Sequence, residues 1–462
     1  MFEREKKMRL AVWIVLVCGL VLSASPLRAT ELDPVEGYRL LFQLMSEEKK
    51  ERKQASDVLI KAGDVSLVPG MVDAMFFTPR LYRAELMKTL KALTGESSTL
   101  YRDWITYVGE HEEIEPKARY GEWKAAMFRR IDPRYSEVFY PGAPSKIRLQ
   151  EVISGGVPLD GIPSVDDPPL VDASAASYMQ KNERVFGVEL GGEAVAFPLR
   201  FLSWHEMLNG EVGGEPVTLS FCTLCGSGIL YSRRVDDEIL EFGTSGLLYR
   251  SNKLMYDRTH KTLWSNLTGE AVVGKKVASG DRLKVLPMTL TTWDEWRRRH
   301  PDTRTIDLKA LQRQMGESFR FEYSPGAAER AREGVSFPVW KRSEALGDKD
   351  EVYVLKIGND TKAYPLDIVL KEGIVHDQIG TASIVLVADA ESKSVRAYVS
   401  GESSFRRDGE DRLVDADGRS WTIGELALES DGEPPLGRVP GHVAFWFGWY
   451  AFYPDTEIYR GS

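Results

Sequence analysis

Cysteine is nearly absent from this chain: Cys18, Cys222 and Cys225 are the three cysteines among 462 residues. A disulfide-rich scaffold is therefore excluded, because such a fold needs several bridged pairs. Cys18 lies in the apolar stretch at the N-terminus, so the Cys-x-x-Cys pair is the source of thiol chemistry in the rest of the chain. Haem attachment is excluded as well, since Gly226 rather than histidine follows Cys225.

Clusters of basic residues are also lacking. The formal net charge is -9, and Lys and Arg are dispersed rather than gathered along one face. Because phosphate binding needs clustered positive charge, we expect no nucleic acid partner. The sequence has no phosphate-binding glycine loop, no carboxylate pair at a readable spacing and no serine-nucleophile elbow.

Long hydrophobic runs are confined to the N-terminus. Residues 1–29 have a basic start, an apolar run from Leu10 to Leu22 and small residues after it, which is typical of a secretory signal peptide. The run is shorter than the ~20 residues that cross a bilayer. We therefore expect cleavage near Ala29 and an extracytoplasmic protein, periplasmic or secreted. Leu27 occupies a position that favours a small residue, so an uncleaved N-terminal anchor stays the alternative.

Residues 30–138 are predicted to be helical. Apolar residues recur at three- and four-residue spacing in 38–45 and in 86–93. Glycine and proline divide the segment into helices of ordinary length. The pattern favours stacked helix pairs of the HEAT type or a plain helical bundle, and we expect any protein partner to bind through this segment.

The remainder of the chain contains an internal match. Its short β-branched and aromatic runs, separated by Gly, Asp and Pro, predict a β-rich fold. Residues 185–199 align without a gap with residues 352–366, and residues 285–303 match residues 438–456. We interpret these matches as two copies of one β-rich unit.

The predicted fold class is therefore α+β, with an all-α N-terminal segment followed by a duplicated β-rich domain with short helices. The predicted boundaries are copy one at 139–303, a linker at 304–350 and copy two at 351–462. The last short helix of copy two, within 445–453, is apolar on nearly every face, so we expect it to be a buried plug between the copies. An aromatic ligand cleft and a membrane-contacting patch are the alternatives.

The duplication bears on the role of the cysteine pair. Carried onward without a gap, the first alignment places Asp389 at Cys222 and Ser392 at Cys225, so copy two reaches this turn without thiols. A disulfide across so short a loop would contribute roughly 2 kcal/mol. A functional pair is therefore favoured over a local structural disulfide.

Two functional uses depend on both thiols. One is thiol-disulfide exchange by Cys222 and Cys225. The other is binding of a soft metal, for which copper is a better candidate than four-coordinate zinc. The proposed metal ligands are Cys222 and Cys225 completed by Met255 and His205, with His260 as a further candidate.

A third use is a cysteine nucleophile with a histidine base. His205 is the nearest candidate base within copy one, although a lone histidine is more often packed or exposed than catalytic. His376 and His442 have no histidine counterpart in copy one. Each is interpreted as a surface residue or as one that reaches across the copy interface.

Two further stretches follow the cysteines. Residues 241–248 contain glycines that permit either close backbone approach to a ligand or a β-bulge. Residues 251–258 end in adjacent opposite charges, for which a structural ion pair is the simpler interpretation. Neither stretch indicates which reaction, if any, the protein catalyses.

These stretches together are similar to a known family. The sequence resembles the exported prokaryotic proteins grouped as domain of unknown function 3179, and the resemblance covers about residues 140–460. The segments that carry it are 221–227, 242–248, 254–258, 264–274, 445–450 and 452–456. The resemblance implies that the cysteine turn, the glycine stretch and the 255–258 segment form one recurrent pattern, and it supplies no activity, cofactor or catalytic residue.

The leading hypothesis is an extracytoplasmic protein in which copy one binds a soft metal or carries out thiol redox through Cys222 and Cys225. A non-enzymatic scaffold with a structural disulfide is the first alternative. A cysteine-dependent hydrolase or transferase is the second, so the sequence leaves open whether the protein is an enzyme.

Overall fold

The computed structural model of the chain describes residues 31–321 and 332–461. The predicted secretory segment, residues 1–29, and its alternative as an anchor lie outside the described residues. Across those two described ranges, no helix has the length and apolar character that crossing a membrane requires.

The N-terminal segment is helical, as the apolar spacing predicts. Asp33 caps the first helix by accepting hydrogen bonds from the backbone N–H groups of Val35 and Glu36. Gly63 and Gly95 end the second and fourth helices in the left-handed conformation, with φ of 68° and 81°. The helices are α1 (Pro34–Leu44), α2 (Lys49–Ala62), α3 (Val68–Phe77), α4 (Ala84–Thr94), α5 (Tyr101–Glu110), α6 (Tyr120–Phe128) and α7 (Tyr135–Val138).

Residues 152–315 form the first β unit with three short helices. The strands are β1 (Val152–Ser154), β2 (Val165–Asp166), β3 (Leu170–Asp172), β4 (Arg184–Leu190), β5 (Glu193–Pro198), β6 (Met207–Val212), β7 (Glu215–Cys222), β8 (Ser227–Ser232), β9 (Arg234–Val235), β10 (Glu238–Ile239), β11 (Phe242–Tyr249), β12 (Asn252–Asp257), β13 (Leu263–Ser265), β14 (Ala271–Val273), β15 (Thr289–Thr292) and β16 (Arg304–Ile306). The helices are α8 (Leu199–His205), α9 (Trp293–Arg299) and α10 (Leu308–Met315). The sheets run β15-β4-β5-β16-β3, β2-β6-β7-β8 and β1-β11-β12-β13-β14, beside the ribbon β10-β9.

Residues 351–458 form the second β unit. Its strands are β17 (Glu351–Ile357), β18 (Asp360–Pro365), β19 (Ile374–Ile379), β20 (Ala382–Asp389), β21 (Ser394–Val399), β22 (Phe405–Arg407), β23 (Arg412–Asp415), β24 (Ser420–Ile423), β25 (Ala427–Glu429), β26 (Leu436–Val439), β27 (Gly441–Phe445) and β28 (Glu457–Ile458). Its helices are α11 (Leu366–Glu372) and α12 (Trp446–Tyr450). The sheets run β27-β17-β18-β28 and β19-β20-β21-β26-β25-β24-β23-β22. The whole chain is thus a mixed α+β fold, as predicted.

The two units share strand order in one sheet. β15-β4-β5-β16 and β27-β17-β18-β28 are each antiparallel except for the last pair, which is parallel. In both units an aspartate accepts a hydrogen bond from a tryptophan indole at 3.0 Å, Asp257 from Trp264 and Asp415 from Trp421. An internal duplication stays an interpretation of these features.

The domain boundaries drawn from the sequence stay predictions. The start of the predicted linker, however, contains regular secondary structure. Residues 304–315, which open the predicted linker 304–350, form β16 and α10. β16 pairs with β5 and β3, and Leu311 of α10 is fully buried in the core of the first β unit.

The helical segment is joined to the first β unit through buried contacts. Lys124 is fully buried in α6, and its Nζ donates to Asp73 Oδ1 at 2.7 Å and to the carbonyl of Val152 in β1 at 2.5 Å. Tyr135 donates its hydroxyl to the carbonyl of Ser245 in β11 at 2.6 Å. Because an unpaired buried charge is costly, these bonds fix the helices against the sheet that carries the glycine stretch.

The aromatic helix α12 is buried, as its apolar faces predict. Trp446, Phe447 and Trp449 are at most 2% exposed. The helix lies against the cysteine turn of the first unit, where Phe445 donates its backbone N–H to the carbonyl of Cys225 at 2.8 Å. The second unit therefore supplies part of the surroundings of the thiols.

Candidate thiol site

The cysteine turn is the end of a β-hairpin. β7 pairs with β8, and Cys222 lies opposite Ser227. Gly226 closes the turn with φ of 62°, a conformation that glycine adopts without strain. Cys222 and Cys225 are free thiols, 1% and 0% exposed, so the structural disulfide considered from the sequence is not formed here.

The two thiols have opposite acidities. Burial and the charge of Glu206 oppose ionisation of Cys222, but hydrogen bonds from the Cys225 thiol and from the backbone N–H groups of Lys253 and Cys225 outweigh them, so the pKa of Cys222 is lowered. Burial, reinforced by the neighbouring Cys222, raises the pKa of Cys225. Because the thiolate is the nucleophilic form, Cys222 is the thiol of the two that ionises more readily.

A buried ion pair stands beside Cys222. Lys253 is 5% exposed, and its Nζ donates to the backbone carbonyl of Glu206 at 2.6 Å and lies 3.8 Å from Glu206 Oε2. Burial lowers the pKa of Lys253 to about 8, against the opposing effect of Glu206 and Cys222. Burial likewise raises the pKa of Glu206. The site therefore holds a thiol, an ammonium and a carboxyl with altered acidities, which is typical of functional sites.

Glu206 adopts a conformation that is unfavourable for its residue type. It ends α8 with φ of 58°, in the left-handed region. Its Oε1 accepts a hydrogen bond from Thr223 in the cysteine turn at 3.1 Å. In the second unit Gly373 ends α11 with φ of 73°, and the gapless alignment places it at Glu206. A glutamate held where glycine would be unstrained indicates a role for its side chain.

Helix α12 leaves room for the second thiol by means of a glycine. A Cβ at Gly448 would lie 2.8 Å from Cys225 Cβ and 2.9 Å from its Sγ. Phe445 and Phe447 pack in the same cluster as both cysteines. The recurrent aromatic segment near the C-terminus thus encloses the thiols.

A cavity of about 160 Å³ opens beside Cys222. Cys222 lines it, whereas Cys225 packs behind against α12, with its Sγ 3.3 Å from the carbonyl oxygen of Ser251. The lining residues are Gly155, Val157, Ile162, Glu206, Cys222, Thr223, Leu224, Thr244, Ser245, Gly246, Leu247, Leu248, Lys253, Leu254 and Phe337. The cavity is therefore next to one cysteine and not the other.

The glycine stretch forms one wall of this cavity as a β-bulge. The β11–β12 register shifts between Thr244 and Leu248. Gly246 has φ of 70°, and a Cβ there would lie 2.1 Å from the carbonyl of Val157. Ser245 secures the bulge by donating its hydroxyl to the carbonyl of Leu254 at 2.5 Å. The glycines thus permit a bulge beside the site, one of the two interpretations offered from the sequence.

The 251–258 segment divides into a part at the thiols and a structural part. Ser251 has φ of 58°, and the amide of Asn252 faces Cys225 but completes no hydrogen bond of good geometry. At the far end Arg258 pairs with Asp160 at 3.1 Å and Asp166 at 2.8 Å. Arg258 therefore forms structural ion pairs, whereas its neighbour Asp257 accepts hydrogen bonds from the indole of Trp264 and from backbone N–H groups.

The predicted four-ligand metal set is not brought together. The Nδ1–H of His205 donates to the carbonyl of Pro163 at 2.7 Å, and its Nε2 accepts the backbone N–H of Arg320 at 3.2 Å. Met255 lies opposite Trp264 in a core cluster that contains neither cysteine. Both ring nitrogens of His205 are thus engaged with the backbone, which also removes it as a base for Cys222.

The other histidines lie apart from the cysteines. His260 contacts Glu238 at 2.9 Å, and His376 accepts the backbone N–H of Phe405 at 2.7 Å. His442 is packed against Trp449, and burial lowers its pKa to about 4. Among residues 31–321 and 332–461, no group of three or more His, Cys, Asp and Glu side chains is arranged to hold a metal ion.

Sequence reasoning missed Glu206 and Lys253. Each is next to a residue that it singled out, since Glu206 follows His205 and Lys253 lies within the 251–258 segment. The internal alignment could have identified Glu206, because it pairs Glu206 with Gly373 just as it pairs Cys222 with Asp389. The two β units thus differ in sequence at both residues of this site.

Comparison with known proteins identifies a family and no closer relative. The family model described as "Protein of unknown function (DUF3179)" matches residues 159–456, more than half of the chain. Neither a curated protein nor a solved structure matches the chain. The match includes the cysteine hairpin, the bulge, Lys253 and helix α12.

Proposed function

We propose that this chain, which belongs to the DUF3179 family of proteins of unknown function, carries a thiol redox site in which Cys222 and Cys225 exchange two electrons with a disulfide. The observation that carries the proposal is the asymmetry of the pair. Cys222 has a lowered pKa and lines a cavity, whereas Cys225 has a raised pKa and lies behind it. A pair that exchanges disulfides needs one attacking and one resolving thiol.

The reaction proceeds in two exchanges. The Cys222 thiolate attacks one sulfur of the substrate disulfide; an S–S bond forms to Cys222 as the substrate S–S bond breaks, and the departing sulfur leaves as a thiolate that takes a proton. Cys225 then loses its proton and attacks Cys222 Sγ, which releases the second substrate thiol. Two electrons and two protons pass to the substrate, and the protein keeps the Cys222–Cys225 disulfide.

Of the two neighbouring charges, that of Lys253 supports the first exchange, whereas that of Glu206 raises the pKa of Cys222 and opposes it. The ammonium of Lys253 favours the thiolate of Cys222 by charge attraction, and Lys253 lines the cavity into which the departing sulfur moves. Once Cys222 is in the mixed disulfide its negative charge is gone, so one cause of the raised pKa of Cys225 disappears. The second thiol then ionises more readily.

The alternatives have less support from the geometry. Copper bound by Cys222 and Cys225 would lack the predicted Met255 and His205 ligands, which lie elsewhere or are engaged with the backbone. A cysteine nucleophile at Cys222 would have Lys253 or Glu206, rather than a histidine, as its neighbouring base. An extracytoplasmic location stays a proposal drawn from residues 1–29, and it accords with a compartment in which disulfides persist.

The test is controlled oxidation followed by mass spectrometry and thiol counting. Reduced protein treated with a disulfide reagent should lose both thiols without keeping the reagent. Cys225→Ser should retain a stable mixed disulfide on Cys222, and Cys222→Ser should leave Cys225 unreacted. The matched control is Ser392→Ala in the second β unit, which should oxidise like the native protein. A native protein that stays reduced, or that keeps the adduct on Cys222, would contradict the proposal.

A further inference from the structure

We propose that the site reduces small disulfides, one half of which fits the cavity, and that larger disulfides, including those of folded proteins, do not react unless this region opens. This inference rests on the proposed function and concerns its substrate class. The geometry that points to it is the enclosure of both sulfurs at the boundary between the two β units.

The sulfur of Cys225 is covered from two sides. Helix α12 covers Cys225 so closely that a Cβ at Gly448 would lie 2.9 Å from its Sγ. Ser251 covers it from the first unit, with its carbonyl oxygen 3.3 Å from Cys225 Sγ. With Cys222 1% and Cys225 0% exposed, a disulfide held rigidly on a protein surface cannot come into line with Cys222 Sγ unless this region opens.

The cavity sets the size that can enter without opening. Its volume of about 160 Å³ is close to the roughly 150 Å³ of a protein cavity that binds benzene. Val157, Ile162, Leu254 and Phe337 give it apolar walls, and Lys253 and Glu206 provide polar groups beside Cys222. This volume suits one half of a small, uncharged aliphatic disulfide.

The arrangement also gives the departing thiolate a proton source. Lys253 lines the cavity as an ammonium whose Nζ already donates to the Glu206 carbonyl and to Met207 Sδ at 3.1 Å. An ammonium has three protons to donate, so a third remains for the thiolate that departs when the substrate S–S bond breaks. A small thiol would therefore depart neutral into an apolar cavity.

The experiment compares oxidation rates of the reduced native protein by bis(2-hydroxyethyl) disulfide and by glutathione disulfide. Each rate is divided by the rate of the same reagent with the urea-unfolded protein, which removes differences in intrinsic reactivity. We expect the normalised rate to favour the small reagent by about tenfold or more, because the large one must wait for local opening. Phe337→Ala, which widens the cavity, should reduce this preference, whereas Leu426→Ala at an exposed position of the second unit should leave it unchanged.

The outcomes separate this inference from the proposed function. Equal normalised rates for the two reagents would overturn the size selection and leave the redox function standing. Failure of both reagents to form the Cys222–Cys225 disulfide in the folded protein would overturn the redox function itself. A preference that Leu426→Ala reduces as much as Phe337→Ala would also overturn the assignment to this cavity.

Discussion

The β7–β8 hairpin of the first β unit and the β20–β21 hairpin of the second, which the gapless sequence alignment pairs, are closed in different ways. In the second unit Asp389 lies opposite Ser394, and its Oδ1 accepts the backbone N–H and the hydroxyl of Ser392, both at 2.7 Å. In the first unit Cys222 and Cys225 occupy the matching positions of the β7–β8 hairpin. The polar turn satisfies its own hydrogen bonds, whereas the thiol turn depends on neighbouring elements.

The difference between the two turns indicates that the thiols have a functional rather than a structural role. A carboxylate and a hydroxyl close this hairpin with strong bonds, while thiols are weak donors and acceptors. The first unit lacks those bonds, and Lys253, a strained Glu206 and a glycine in α12 surround the sulfurs. Residues that make local structure less favourable and are supported by distant elements are typical of functional sites.

The largest expected effect is at the contact between the units. Gly448→Ala should destabilise the protein by about 2 kcal/mol, because the added Cβ overlaps Cys225 and the enclosed cluster cannot expand freely. Urea denaturation measures the change in the free energy of unfolding. Gly437→Ala is the matched control, since a Cβ there meets nothing within 4 Å. Equal destabilisation by both substitutions would contradict the close packing of α12 on the thiol turn.

The next effect concerns the charge beside Cys222. Lys253→Met keeps an apolar stem and removes the ammonium, so the rate of Cys222 alkylation at pH 7 should fall about tenfold. Above pH 8, where native Lys253 loses its charge, the two rates should converge.

Lys362→Met is the control for removing a paired lysine, since Lys362 pairs with Asp377 at 2.8 Å in the second unit. Its alkylation rate should match that of the native protein. An unchanged rate in Lys253→Met would show that Lys253 does not support the thiolate.

A smaller effect is expected in the second turn. Ser392→Ala removes a 2% exposed hydroxyl that bonds Asp389 and Ser394, and it should reduce the free energy of unfolding by about 1 kcal/mol. The alkylation rate of Cys222 should stay the same. A changed rate would mean that the two turns are coupled rather than independent.

The smallest effect is a dependence of stability on pH. Burial opposes ionisation of Asp389, but bonds from Ser392 and the charges of Arg407 and Arg396 outweigh it and lower its pKa. Since the folded-state pKa is depressed, this contribution is present above the unfolded-state value of about 3.9 and is lost as the pH falls through the folded value.

Asp389→Asn should therefore be less stable than the native protein by a few tenths of a kcal/mol at pH 7. The difference should shrink below about pH 4. Unfolding curves at several pH values test this, and a difference that grows on acidification would contradict the assigned sign.

Local patterns predicted much of the fold. Apolar spacing predicted the helical segment, the β-rich texture predicted the sheets, and the all-round apolar character of 445–453 predicted a buried helix. Each depends on residues close in sequence. The place of β16 was missed, because a three-residue strand becomes recognisable only when its partners β5 and β3 are known.

The site was predicted in part. The cysteines stood out because they are rare, but Lys253 and Glu206 take their acidities from burial among segments far apart in the chain. His205 and Met255 were chosen by residue type and nearness in sequence, and backbone hydrogen bonds and core packing direct them elsewhere. Residue type alone does not show which polar groups tertiary contacts already satisfy.

The central claim, that Cys222 is the attacking thiol and Cys225 the resolving one, is tested most directly by the pH dependence of iodoacetamide labelling. The two cysteines are quantified separately by peptide mass spectrometry in the folded, reduced protein. We predict that Cys222 is labelled with a midpoint below the ordinary thiol pKa of about 8.5 and that Cys225 is labelled only after unfolding. Equal labelling of the two, or faster labelling of Cys225, would contradict it.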